Sequence, residues 1–544
     1  MQTTSEKRAI PRQIGATLDA SGHLPELLAL FDAVREADNF TPRKLKALMI
    51  RHVHHDGMPV PQASVIKAYE ELVARGVLPF EQRLSDRLRL KPTRTISGVA
   101  PVAVLTGPYP CPADCIFCPQ VKGYPRSYLP DEPAVQRAKR ARFDPHVETT
   151  ARITALDNMG HSTDKIELLV IGATWSAYPH RYQEWFIRRC FDAMNGHASG
   201  TLPEAQRANE TALHRNVGLV VETRPDFITP EEVRRLRWLG VTKVQLGAQS
   251  TDDAILAANR RGHTIADTRR AVRLLRLAGF KLHLHWMPNL LGASPASDLE
   301  DFRRLWSDPA LRPDELKIYP CSLIEGTELH ARWQRGDFRP YMDEELIELL
   351  VAAKSIVPPY CRINRVVRDI PAHYIAAGST QSHLRETVQH AMRQRGLRCR
   401  CVRCREVRAE RLDPARLRLD AETYATDATI EHFLSYVSEG DRLAGVLRLS
   451  LPADGVAQDE VLEELQGAAV VRELHVFGPA LDLGGASHGE AQHAGLGRRL
   501  TEEAIRIARQ EGYRRLAVIA AIGTREYYRK LGFELGELYM TRSL

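Results

Sequence analysis

Residues Val102–Gln120 read VAVLTGPYPCPADCIFCPQ. A short run rich in β-branched and apolar side chains ends at a Gly-Pro turn, and a loop with three cysteines follows at once. The rhythm recurs downstream. The runs IELLVIGAT, VGLVVETR, KVQLGAQS, KLHLHWM and ELKIYP alternate with amphipathic segments of helical period. Strands alternating with helices predict βα units and a parallel sheet or barrel over residues 86–320. In such folds reactive groups collect at the carboxyl ends of the strands. Cys111, Cys115 and Cys118 stand after the first strand and Gly172, Ala173 and Thr174 after the second. Glu222 and Gln249 stand at the ends of the next two.

The rest of the chain frames this core. Its 544 residues call for several domains, and 44% hydrophobic content is ordinary for a globular protein. The net charge of +7 is mild, so its distribution matters more than its sum. The amino terminus has no apolar signal segment, and no run approaches the ~20 apolar residues of a membrane span. A cytoplasmic protein without membrane contact is the expectation. The nine cysteines are clustered and odd in number, which favours reduced, metal-binding thiols over disulfides. Residues 1–85 read as helical in LPELLALFDAVREA and ASVIKAYEELVARGV, interrupted around Asp56-Gly57. The basic run Arg83–Arg94 is either a solvated helix end or an edge that contacts phosphates.

Four cysteine thiolates normally hold the irons of a [4Fe–4S] cluster. Three leave one iron open to a substrate or cofactor. The spacing Cys111-x3-Cys115-x2-Cys118 resembles that of radical S-adenosylmethionine enzymes. That resemblance implies that the open iron binds the amino and carboxylate groups of S-adenosylmethionine, with Phe117 near the adenine and Gly172–Thr174 at the methionine amino group. An incomplete zinc site is the competing reading. A second group, Cys399-x-Cys401-x2-Cys404, lies in an arginine-rich segment with eight arginines and two glutamates between Arg393 and Arg411. A structural zinc fits it, with the fourth ligand from Cys321, Cys361 or a histidine; Cys321, after a barrel strand, is favoured. A second iron–sulfur cluster is the alternative. So many arginines beside a metal clip suggest a nucleic-acid surface.

From residue 415 the pattern changes to the strands TIEHFLSYV, RLAGVLRLSL and VVRELHVFG, then a polar loop and QHAGLGRRLTEEAIRIAR. Gln492, Gly495 and Gly497 open a helix whose amides and dipole suit a pyrophosphate, the glycines avoiding Cβ atoms where phosphate comes close. With REYYRKLGF behind it, this order is similar to the acyl-CoA site of Gcn5-related acetyltransferases. Tyr528 is assigned to the thioester and Tyr527 to the core. The loop Asp482–Ala494 is read as a gate over this site.

Together KPTRTISGVAPVAVLT, RARFDP, GHSTDKIELLVIGAT, VVETRPD, NRRGHT, LKIYP, RVVRDIP, VVRELHVFG and REYYRKLGF resemble the catalytic third subunit of Elongator and its single-chain bacterial and archaeal relatives. The resemblance covers residues 85–544. It implies a partial βα barrel joined to an acetyltransferase fold, behind a helical basic amino-terminal region. It implies a tRNA-modifying acyltransferase that builds 5-carboxymethyluridine at the wobble position from acetyl-CoA, with S-adenosylmethionine radical chemistry. It further implies that Lys165 holds acetyl-CoA at the radical domain, that Glu473, Leu474, His475 and Val476, with Leu496, Gly497, Arg498 and Tyr528, contact it, and that Glu473 or His475 positions water. The expected domains are 1–85 (tRNA-binding), 86–320 (barrel), 321–414 (irregular basic connector with the second cysteine group) and 415–544 (acetyltransferase). The anticodon stem-loop is the expected partner, held by the amino-terminal edge, Arg137–Arg142 and the connector; the assembly is left open, a homodimer included. The chain departs from the family pattern at Pro119-Gln120-Val121, where Pro-Gly-Gly is usual, at Ala173 in place of glycine, and at Gln245 in place of glutamate. The competing function is a protein lysine acetyltransferase with a vestigial or regulatory radical domain.

Overall fold

The architecture is that of a computed structural model, which describes residues 18–55, 58–90, 95, 98–368, 370–408, 410, 412–478 and 495–544. Gln492, the loop Asp482–Ala494, the Asp56-Gly57 turn, Lys91–Arg94 and Arg411 lie outside the described residues. The chain forms two units, residues 1–95 with 151–163, and residues 96–150 with 164–544.

In the first unit, apolar residues at helical spacing build the core as expected. Leu27, Leu30, Phe31 and Val34 line one face of α1 (Leu24–Glu36). They meet Leu45 and Met49 of α2 (Pro42–His52), Val65, Tyr69 and Leu72 of α3 (Gln62–Ala74), and Leu84 and Leu88 of α4 (Gln82–Leu88). Thr41 caps α2 by accepting from the Lys44 amide at 3.2 Å, with Pro42 in the first turn. Two arginines of the basic run are structural. Arg87 donates to the Val34 and Arg35 carbonyls and covers the Phe40 ring, and Arg89 donates to the Gly160 carbonyl at 2.8 Å.

The second unit begins with seven parallel strands: β1 (Ala100–Leu105), β2 (Lys165–Ile171), β3 (Arg215–Thr223), β4 (Lys243–Gln249), β5 (Lys281–Trp286), β6 (Glu315–Ile318) and β7 (Arg362–Arg365). They lie side by side in chain order. Every residue of β4 is buried, as a parallel strand covered on both faces requires. The helix α5 (Ile265–Leu277) starts in a capping box of Thr264 and Asp267 and buries Ala271, Val272 and Leu275. The expected irregular connector after residue 320 is instead largely ordered. Residues 362–365 (RINR) supply the last barrel strand, which has one apolar side chain and so no strand signature in the sequence.

A second sheet follows, with β8 (Arg418–Ala425), β9 (Thr429–Val437), β10 (Leu443–Pro452), β11 (Ala468–Val476), β12 (Arg515–Val518), β13 (Glu534–Leu535) and β14 (Met540–Ser543), in the order β8-β9-β10-β11-β12-β14-β13. Only β11 and β12 pair in parallel. Helix α6 (Leu496–Gln510) buries Leu496, Leu500, Ala504 and Ala508 against this sheet. Among the described residues no helix is long and apolar enough to cross a membrane.

The two sheets are joined by buried charge. Asp314, at the amino end of β6, is fully buried and accepts from Arg472 of β11 at 2.8 and 2.7 Å. Arg472 also donates to Glu431 of β9 at 2.7 Å, and Arg448 of β10 donates to Glu473 at 2.7 Å. Lys281 bridges Glu473 and Glu315, the latter at 2.6 Å. Burial alone would raise the Glu473 carboxyl; Lys281 and Arg448 outweigh it and hold it at about 2. Burial acts on Asp314 likewise, and Arg472 and Arg448 hold it well below the carboxylate range. Removing one partner of such a network leaves an uncompensated buried charge, so Asp314→Asn should cost about 3–5 kcal/mol in a urea titration. Both carboxylates have depressed values. Their stabilisation should therefore be complete above the unfolded carboxylate range near ~4 and disappear as pH falls toward that of Glu473.

Candidate functional site

The three-cysteine loop leaves the carboxyl end of β1. Cys115 Sγ accepts from Arg261 Nη1 at 3.1 Å, and the same guanidinium donates to the Gly247 carbonyl at 2.7 Å. A Cβ on Gly247 would come within 3.2 Å of Arg261 Nη2, so glycine there leaves room for that arginine. Burial and the charge of Cys115 push Cys118 up to about 11, while Arg126 and Arg368 pull it back. Cationic groups around clustered thiols suit an anionic metal–thiolate centre. Cys111 Sγ lies 3.8 Å from Thr174 Oγ1, which brings the loop against the end of β2. Gly172 has φ of +148°, and a Cβ there would collide with Thr106 Oγ1. Gln249 ends β4 with φ of +70°, an uncommon conformation for a residue with a side chain, and its buried carboxamide oxygen has no partner among the described residues. These features fit a [4Fe–4S] cluster on Cys111, Cys115 and Cys118 with S-adenosylmethionine against Gly172–Thr174. Glu222, partly exposed, lies 3.6 Å from His285. Phe117 is half-buried against the apolar cluster around Leu290, Leu323 and Leu329.

Cys321 belongs to that same cluster, with Ile116 and Phe338, and so packs beneath the first cysteine loop. It does not join the second group, and its expected role as fourth ligand is corrected. Cys399, Cys401 and Cys404 bring their sulfurs within 4.8 Å of one another. The thiol beside them is Cys361, whose carbonyl accepts from the Val402 amide at 2.9 Å and whose own proton is held more tightly by burial and by Cys401. Hydrogen bonding within the group raises Cys399 and lowers Cys401. Lys354 is fully buried, its Nζ has no hydrogen-bond partner among the described residues, and its charge favours both thiolates. Three cysteine sulfurs this close together suit a divalent cation that displaces their protons.

The third site opens where β11 and β12 part. Their pairing runs from Ala468–Arg515 to Val471–Val518, β12 then ends, and β11 continues to Val476. The cleft is a cavity of about 140 Å³ lined by Glu473, His475, Thr524 and Tyr528 on one side and by Glu167, Lys243 and Lys281 on the other. The last three stand at the amino ends of β2, β4 and β5, opposite the cysteine loop. Lys243 donates to Glu167 at 2.7 Å and to Glu315 at 3.2 Å. Glu473, ionised and doubly paired, is a poor base. Burial brings His475 down to about 4, so it is neutral at physiological pH, and its Nε2 has no partner among the described residues. Lys165 is not on the cavity wall; it is partly exposed and 3.9 Å from Asp164. Tyr528 is buried in the core and also lines the cavity, whereas Tyr527 is 40% exposed, which corrects its assignment to the core.

Helix α6 is preceded by Gly495, with φ of +68°, and among the described residues no side chain caps its first turn. A Cβ on Gly497 would fall 2.8 Å from the Tyr527 hydroxyl, so glycine here leaves room for that tyrosine. Leu474 and Val476 pack against the core, Leu496 is buried in it, and Arg498 pairs with Glu502 at 2.9 Å. Lys243, Lys281, Arg261 and Arg368 escaped sequence reasoning as site residues. A lone lysine opening a buried strand is the signal that marks the first two.

The comparisons agree with this geometry. The Radical SAM superfamily profile matches residues 109–302, the Radical_SAM C-terminal domain 313–394 and the Acetyltransferase (GNAT) family 402–533. A tRNA uridine(34) acetyltransferase of Dehalococcoides mccartyi (strain CBDB1) is 45% identical over 84% of this chain and 99% of its own length. The human Elongator complex protein 3 is 36% identical over 87% of this chain and 89% of its own. The chain belongs to the Elongator complex protein 3 family. A solved structure of archaeal Methanocaldococcus infernus Elp3 without residues 1–46 aligns at a TM-score of 0.72, with 41% identity, over 83% of this chain and all of that one. The family's radical SAM barrel and acetyltransferase fold are thus the two sheets described above.

Gly172→Ala tests the first site. The positive φ and the collision with Thr106 should cost about 1–3 kcal/mol and weaken S-adenosylmethionine binding in calorimetry, with the iron content unchanged.

Proposed function

We propose that this chain is a tRNA wobble-uridine modifying acyltransferase that uses acetyl-CoA and S-adenosylmethionine to form 5-carboxymethyluridine. One observation carries the choice over a protein lysine acetyltransferase. The cleft between β11 and β12 faces the amino ends of the barrel strands, so its far wall is Glu167, Lys243 and Lys281, where a lysine peptide would have to enter. The cluster and S-adenosylmethionine supply hydrogen-abstracting radical chemistry that carbon–carbon bond formation at a uridine ring carbon calls for. The protein's own groups bind and orient. The uncapped first turn of α6 takes the pyrophosphate. Tyr528 and neutral His475 frame the thioester, His475 being the group able to accept a proton from water. Lys281 holds Glu473 ionised, and Glu473 in turn fixes Arg448. Between the cleft and the cysteine end the barrel interior carries the buried polar side chains Glu315, His283 and His285.

The tRNA surface is narrower than the arginine count suggests. Arg395 pairs with Glu348 at 2.8 Å and Arg405 with Asp441 at 2.7 Å. Arg403, by contrast, is lowered to about 10 by burial and by Arg385, Arg362 and Arg408. Guanidiniums that repel one another are relieved by phosphate. Arg398 and Arg408, with Arg140 and Arg142, are exposed. Clustered cysteines without a disulfide framework support a cytoplasmic enzyme.

The deciding experiment is mass analysis of nucleosides from tRNA incubated with reconstituted protein, S-adenosylmethionine, acetyl-CoA and a reductant. 5-Carboxymethyluridine is expected; faster acetylation of a lysine peptide with unmodified tRNA would sink the proposal. Reversing Arg398 and Arg403 to Glu should weaken tRNA binding and flatten its salt dependence, while Arg395→Glu should lose the pair with Glu348 and leave the slope unchanged.

The second cysteine group we assign to zinc. Elemental analysis should find one zinc per chain that persists when Cys111, Cys115 and Cys118 are all Ala. Cys401→Ala should release it and lower the melting temperature. Iron in its place would support a second cluster.

A further inference from the structure

A row of aromatic rings runs from the first cysteine loop to the outer surface, and no step of the proposed reaction uses it. Tyr109 precedes Cys111 by two residues, and its ring centroid is 4.8 Å from that of Tyr178. Tyr178 stacks on Tyr182 at 5.0 Å with 19° between planes, and Tyr182 meets Trp185 at 5.6 Å. Tyr109 and Trp185 are 38% and 36% exposed, whereas Tyr178 is buried. The row is therefore open at both ends and closed in the middle.

Core packing explains the neighbours Trp175 and Phe186, which are fully buried. It does not explain an indole left at the surface, nor phenols where phenylalanine would pack as well. Each phenol is tied to the stem of the cysteine loop. Tyr178 donates to the Gly107 carbonyl at 2.7 Å and accepts from Thr106, and Tyr182 accepts from the Gly107 amide at 2.8 Å. The spacing of the rings is thereby locked to the loop itself. Tyrosine and tryptophan are the aromatic side chains most easily oxidised by one electron at neutral pH, with closely matched potentials, and stacked rings pass electrons readily.

We propose that Tyr109, Tyr178, Tyr182 and Trp185 form an escape route that carries a stray radical from the barrel to the surface when no tRNA is present to receive it; this rests on the radical reading above. A carbon-centred radical takes the hydrogen atom of the Tyr109 hydroxyl: a C–H bond forms, the O–H bond breaks, and a phenoxyl remains. An electron from Trp185 crosses Tyr182 and Tyr178 to that phenoxyl, which takes a proton from water. Trp185 gives its indole N–H proton to water and becomes a neutral radical. A small thiol in solution returns a hydrogen atom and ends as disulfide, so the row is restored. The net change is one carbon radical quenched for one thiol oxidised.

The test uses the reconstituted full chain, anaerobic, with S-adenosylmethionine and a single reducing equivalent, without tRNA, acetyl-CoA or thiol, and with a nitroso spin trap. Peptide mass spectrometry locates the trap, and 5′-deoxyadenosine is measured in the same tube. The expected result is trap on Trp185. Tyr182→Phe should move it back to Tyr109 or Tyr178, with 5′-deoxyadenosine unchanged; Trp185→Phe, a change at a partly exposed ring that folding tolerates, should do the same and shorten the enzyme's working life. 5′-Deoxyadenosine formed with no trap on Trp185, or with trap on Trp185 undiminished in Tyr182→Phe, overturns the route alone. No 5′-deoxyadenosine at all overturns the radical reading and the route with it.

Discussion

Asp314 is a fully buried carboxylate held by two guanidiniums from another sheet, and the remaining architecture is arranged around keeping it satisfied. Removing such charges from water is expensive unless every hydrogen-bonding position is filled. Those of Asp314 and Arg472 are filled from both sides. The Leu282 amide adds a bond at 2.8 Å from the barrel, Arg472 also donates to the Phe280 carbonyl at 2.8 Å, and Glu431 takes the other face of Arg472. A geometry this specific admits one docking of the acetyltransferase sheet on the barrel. Hydrophobic contact alone is non-directional and would tolerate several.

That docking decides the chemistry available to each site. The cleft between β11 and β12 is a feature of the acetyltransferase sheet alone, but its far wall belongs to the barrel. The charges on that wall act at close range on anything held in the cleft. The cysteine loop is at the opposite end of the same strands. Between them lies an interior with polar residues on β4, β5 and β6, in which His285 donates to Gln245 at 3.1 Å and Lys317 also donates to Gln245. The amide at position 245 keeps this interior less charged than a glutamate would.

Local patterns were legible in the sequence where neighbours along the chain decide the outcome. Three cysteines at short spacing after a strand, a glycine opening a helix, and the strand TIEHFLSYV fall where they were read. Reading failed where distant segments decide. RINR carries too little apolar signal to be recognised as a strand, yet β6 offers it an edge. Cys321 follows a barrel strand as supposed, but the strand delivers it under the first cysteine loop. Arg87 and Arg89 look like a phosphate edge until the carbonyls that they satisfy are known.

The sequence by itself determined the two chemistries, because a thiolate triad and a pyrophosphate turn are each built within a few consecutive residues by bond geometry and backbone freedom. It determined the βα order as well, since periodicity is a property of one segment at a time. Only the tertiary structure decided that the cleft between β11 and β12 faces the amino ends of the strands that carry the cysteines at their other side. The partners of Asp314 lie more than a hundred residues away, at Arg448 and Arg472, and a charge read alone does not say which opposite charge will desolvate it.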